Sequence, residues 1–108
     1  MSARRLQDLR MHDGSRCFGD VPSRAGVDDL PALRAAVAHW PGALETGCVS
    51  DAVVEAWLEW EADGHAFACN LQDGDWWCFV EDPRAPADLL QRVLDHLAAA
   101  LDDEAGRS

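Results

Sequence analysis

The side chains able to do chemistry are few and scattered. Cys17, Cys48, Cys69 and Cys78 include no Cys-x-x-Cys, and His12, His39, His65 and His96 are equally dispersed. A zinc site would have to be assembled from distant parts of the chain, because metal ligands are usually delivered in closely spaced pairs. Four thiols acting as small buried hydrophobes are the simpler expectation. Asp63, His65, Asp73 and Asp75 gather near two turns, but those turns fall at opposite ends of the strands they join. Asp73-Gly74-Asp75 begins like a calcium loop and lacks the remaining ligands and the bidentate Glu. Glu55, Glu59 and Glu61 share one strand face, where a row of carboxylates reads as a solvated rim. The chain has no Gly-x-Ser-x-Gly, no phosphate-binding glycine loop and no His-Glu-x-x-His. The expectation is a protein that is not an enzyme and uses no metal or cofactor.

The elements that position these residues are clearest between 53 and 81. Asp63-Gly64 and Asp73-Gly74 are two-residue hairpin turns, whose backbone needs the positive φ that Gly accepts without strain. The first turn pairs Trp60 with Phe67, Leu58 with Cys69 and Ala56 with Leu71. The second independently pairs Leu71 with Trp76, Cys69 with Cys78 and Phe67 with Val80. Both place Phe67, Cys69 and Leu71 on one face, an agreement that a one-residue slip would destroy. The result is an antiparallel meander over 53–61, 65–71 and 76–81. Cys69 and Cys78 are directly opposed, where a cross-strand disulfide fits; in a reducing cytosol they are expected to remain thiols.

Two helices flank the meander. Asp28, Asp29 and Pro31 open a helix over 29–40, with Leu30, Leu33, Ala36, Val37 and Trp40 at helical spacing and Pro41-Gly42 as the stop. Residues 41–51 read as a connection. Pro86 and Asp88 open a second helix over 86–101, with Leu89, Leu90, Val93, Leu94, Leu97 and Leu101 on one stripe. The acids Asp102, Asp103 and Glu104 oppose the helix dipole, so the tail to Ser108 is expected to fray. Residues 1–27, rich in Arg, Gly, Ser and Pro, read as an irregular segment ahead of a single domain over 28–108. The expected fold is α+β: helix, three-stranded antiparallel meander, helix, with both helices on one face of the sheet.

The same register defines the opposite face. Its rows are Trp57–Asn70–Trp77, Glu59–Ala68–Phe79 and Glu61–Ala66–Glu81. Two indoles and a phenyl ring beside alanines, rimmed by Glu59, Glu61 and Glu81, are not an ordinary solvated surface. Either residues 1–27 cover it with Leu6, Leu9, Met11 and Phe18, or it binds another protein through Trp57, Trp77 and Phe79.

Bulk charge narrows the partner. The 108 residues carry 20 acids and nine basic residues, a net charge of −11, and the sequence pI is near 4.4. Residues 28–108 hold four Arg against 17 acids. Such a field repels nucleic acid and anionic membranes and attracts basic proteins. No apolar run reaches the roughly 20 residues of a membrane span. The opening residues contain no apolar signal core, so a cytoplasmic location is expected. All basic residues are Arg, a composition in keeping with a GC-rich bacterial genome.

Asp63-Gly64-His65-Ala66-Phe67, then Asp73-Gly74-Asp75-Trp76-Trp77-Cys78-Phe79-Val80-Glu81-Asp82-Pro83 and a Leu-rich helix, resembles a pattern in small acidic α+β bacterial proteins, over about residues 55–101. Some of these are immunity partners of secreted antibacterial toxins. The resemblance implies a cytosolic binder that blocks a toxin by occluding it, and the net charge makes a basic toxin domain the expected partner. Two other classes stay open on sequence: a secretion-chaperone-like module for an effector protein, and a small enzyme or metal protein. The oligomeric state is open as well.

Overall fold

The structure is a computed structural model that describes residues 6–50 and 56–106. In chain order its elements are strands β1 (Leu9–Arg10) and β2 (Arg16–Pro22), a 3-10 turn (Gly26–Asp29) and helix α1 (Leu30–Ala38). Strands β3 (Leu44–Ser50), β4 (Ala56–Ala62), β5 (His65–Gln72) and β6 (Asp75–Val80) follow, and helix α2 (Ala87–Gly106) ends the chain.

The two hairpins form as their turn chemistry dictates. Asp63 and Gly64 have φ of 53° and 79°, and Asp73 and Gly74 have 51° and 83°. Two consecutive positive-φ residues match the twist of the flanking strands. Trp60 pairs with Phe67, Leu58 with Cys69, Phe67 with Val80, Cys69 with Cys78 and Leu71 with Trp76. The part of the first expected strand over 53–55 lies outside the described residues.

The three-stranded meander is too small a description. The sheet has six antiparallel strands in the order β1-β2-β6-β5-β4-β3. Of the three added strands, β1 is only two residues long, and β2 and β3 were concealed by bulges, which break the period-two pattern by one extra residue. In β2 the register shifts between Cys17 and Gly19, so Phe18 and Gly19 are both buried before alternation resumes with Val21. A side chain at Gly19 would collide with the core, since a Cβ there would stand 2.6 Å from Leu94 Cδ2. In β3, read from sequence as a connection, the shift falls between Glu45 and Gly47. β3 is also an edge strand whose residues are all exposed or half-buried, so it carries little apolar pattern.

Both helices pack on one face of the sheet. Leu33 and Val37 of α1 and Leu90, Val93, Leu94 and Leu97 of α2 share a core with Leu58, Trp60, Phe67, Trp76 and Val80, joined by Phe18 and Val21 from β2. Leu71 is only partly buried at its margin. α2 does not stop at residue 101 but continues to Gly106. Leu101 is buried and Asp102 is paired with Arg24, contacts that offset the unfavourable dipole.

One carboxylate is sealed beneath the sheet edge. Asp29, 4% exposed, accepts hydrogen bonds from Ser23 Oγ at 2.6 Å, the backbone N–H of Arg24 at 3.0 Å and of Ala25 at 2.9 Å, and Trp76 Nε1 at 2.9 Å. It ties the segment after β2 to the central sheet. Among the described residues, no helix is long and apolar enough to cross a membrane.

Candidate aromatic binding face

The opposite face of the sheet is built by strand alternation alone. β4, β5 and β6 place Trp57, Asn70 and Trp77 in one row and Glu59, Ala68 and Phe79 in the next. The third row, Glu61–Ala66, reaches Glu81 through the Glu81 N–H, which donates to the Ala66 carbonyl at 2.9 Å. The added strands widen it. β2 sets Asp20 beside Trp77 and Cys17 beside Phe79, while β3 sets Val49 beside Trp57 and Leu44 beside Glu61.

Residues 6–27 do not cover this face as one expectation had them doing. β2 joins the sheet edge-on, so Phe18 enters the core on the far side, and Leu6 packs against that core too. Leu9 is 46% exposed. Both helices also lie on the far side, so among the described residues no element crosses the aromatic face.

The rings are half-buried by one another. Trp57 and Phe79 stack with centroids 6.3 Å apart and planes 21° apart, reaching across β5 over the small Ala68. Trp57 Nε1 donates to the Glu59 carboxylate, which fixes the indole edge. Glu59, Glu61 and Glu81 are exposed, as a rim should be. Leu44 and Val49, 65% and 67% exposed, add apolar surface on the β3 side. Asn70 sits between the two indoles with a buried Oδ1 that has no hydrogen-bond partner.

The six candidate residues therefore share one surface. Sequence reasoning missed its two flanks, Asp20 on β2 and Leu44 with Val49 on β3. The alternation that would have shown them is interrupted by the bulges. The orphaned acceptor of Asn70 depends on side-chain placement and leaves no signal in a sequence.

The other chemical candidates do not converge. Asp63 accepts from Trp40 Nε1 at 2.9 Å, whereas Asp73 belongs to the turn at the far end of β5. The His96 ring stands 5.2 Å from Trp40, its Nε2 2.7 Å from the Ala36 carbonyl, as part of helix packing. Glu55 lies outside the described residues. Among the described residues, no three His, Cys, Asp or Glu side chains are placed to hold a metal ion. All four cysteines carry thiols, with Cys69 opposite Cys78. Burial pushes the Cys69 and Cys17 thiols up, which keeps them protonated and poorly nucleophilic.

Elsewhere on the surface, carboxylates are held in their ionised form. The Arg84 backbone N–H, and then its side chain, hold Asp82 below its ordinary value. Arg34 does the same for Glu45 through a two-point contact at 2.8 and 3.0 Å. No family model, no curated protein and no solved structure matches this chain.

Proposed function

We propose that this chain is an acidic binding protein, an immunity-type inhibitor that occludes a basic, secreted bacterial toxin domain from within the cytoplasm. The observation that carries the reading is the uncovered aromatic face, where Trp57, Trp77 and Phe79 lie together inside a rim of Glu59, Glu61 and Glu81. Central aromatics give most of the binding energy at protein interfaces, because they lose water completely on contact. Charged rims set encounter rate and orientation. With a net charge of −11, the molecule favours a basic partner over a second acidic copy or a nucleic acid.

The two contributions separate kinetically. The immobilised protein is used to recover its partner from the source organism, beginning with the product of the adjacent gene, and binding is followed with time. Trp77→Ala should weaken it by about 2 kcal/mol or more, mainly through faster dissociation. Glu61→Arg should slow association and flatten its dependence on salt. If both variants remain folded at the assay temperature and bind the partner as well as the parent does, this face is not the interface.

A further inference from the structure

We infer that the centre of the aromatic face is a receptor for an arginine side chain, whose guanidinium donates to Asn70 Oδ1 between the indoles of Trp57 and Trp77. The inference rests on the reading of this face as a binding surface and names the group it recognises.

Asn70 Oδ1 is the one buried side-chain nitrogen or oxygen among the described residues without a hydrogen-bond partner. A buried acceptor left unpaired is costly, and the few that native proteins keep call for a reason. Here the atom occupies the middle of the row Asp20–Trp77–Asn70–Trp57–Val49, at the centre of an exposed face. It is the only polar group between two half-buried indoles. The missing partner is an N–H or O–H donor, and three features make that donor a guanidinium.

The first is charge. Asp20 ends the same row, Glu59 stands in the next and Glu61 and Glu81 lie one row beyond, and the paired positions of this face include no basic residue. The second is the flanking rings. Indole faces attract cations, and arginine is their more frequent partner. The third is hydration. Trp57 and Trp77 stand on strands either side of β5, about 10 Å apart by strand spacing. A flat, weakly hydrated guanidinium can enter between their rings and keep N–H groups for the acceptor, whereas an ammonium is compact and holds its water. Entry requires the Trp57 indole to part from Phe79, a movement confined to side chains.

The test uses the intact chain and blocked tripeptides, acetyl-Gly-Xaa-Gly-amide, with Xaa as arginine, lysine or citrulline. Citrulline keeps the planar shape of arginine and three of its five N–H donors, with a carbonyl oxygen in place of one NH2 group, and has no charge. Binding is read from the NMR shifts of the Asn70 side-chain amide and the Trp57 and Trp77 indole N–H groups. The arginine peptide should move all three signals and bind at least about tenfold more tightly than either control, the ratio expected where a cation meets ring faces out of water. Asn70→Asp should keep or strengthen that binding. Asn70→Leu should weaken it about tenfold or more, without loss of thermal stability, since the amide oxygen it removes has no partner in the free protein.

Equal affinity for lysine or citrulline, shifts confined to the rim glutamates, or no response to arginine overturns the inference. So does undiminished arginine binding by a folded Asn70→Leu protein. If these fail while Trp77→Ala still weakens the protein partner, the binding face stands and only the arginine receptor falls.

Discussion

Asp29 shows how much one residue can organise. Its carboxylate gathers four donors from Ser23, Arg24, Ala25 and Trp76 in a nearly sealed site. Replacing it by Asn keeps the size but turns an N–H group toward donors, so Asp29→Asn should cost about 2–4 kcal/mol in urea unfolding. A loss below about 0.5 kcal/mol would mean that water can replace the carboxylate. The cysteines divide by burial in the same way. Cys48 is half-buried and the other three are buried, so a thiol reagent should label Cys48 first in the native protein and all four only after unfolding. The raised Cys69 thiol carries a definite sign. The folded state holds that proton more tightly than the unfolded chain does, so its contribution is complete below the ordinary thiol pKa of about 8.5. It is lost as pH rises above that value. Unfolding midpoints between pH 8 and 10 should therefore fall more steeply for the parent than for Cys69→Ala.

At the scale of elements, Trp76 and Trp77 are neighbours in sequence and opposites in structure. Trp76 is 1% exposed beneath the helices, whereas Trp77 is half-buried on the other side of the sheet. Trp76→Ala should cost about 3–5 kcal/mol, and Trp77→Ala only about 1 kcal/mol, since much of its surface already meets water. Thermal melts of the two variants decide it, and similar losses would mean that both faces of the sheet are core. This pair also shows how far the sequence could be read. The Asp-Gly turns fix the register of β4, β5 and β6 locally, and the register alone brings Trp57, Trp77 and Phe79 together. β2 escaped because its main partner, β6, is distant in sequence, and β3, although it pairs with the next strand, because its bulge at Thr46, like that at Phe18 in β2, breaks the period that would announce it. The end of α2 was misjudged for a related reason. A local dipole argument stops the helix at Leu101, but Arg24, 78 residues away from Asp102, pairs with the acid there. The candidate face was legible where local rules sufficed, and its flanks and its orphaned acceptor were not.

For the whole molecule, the acidic limb of stability follows from paired surface carboxylates. Asp82 and Glu45 titrate below their ordinary values. Their contribution is complete above about pH 4.5 and lost as pH falls through the lowered folded values. Arg34→Ala should remove part of the loss seen between pH 5 and 2, as read from urea midpoints, because Glu45 then titrates alike in both states. This acidic limb is modest, since both carboxylates are close to solvent.

The two margins of the sheet are guarded unequally. One ends in the two-residue β1, with Pro22 closing β2, and a short strand with proline offers little template for another chain. The other ends in β3, seven residues long, carrying Leu44 and Val49 outward and no lysine. Mutual repulsion between molecules that each carry −11 opposes the pairing of two such margins. That protection is colloidal rather than steric, so it weakens as salt shortens the Debye length from about 10 Å at 0.1 M to about 3 Å at 1 M. Sedimentation velocity should show a monomer at low ionic strength and growing self-association in molar sodium chloride, suppressed by Val49→Lys. A salt-independent monomer would mean that the β3 bulge alone guards the margin. Otherwise the net acidity of the chain is itself what keeps one molecule from pairing with the next.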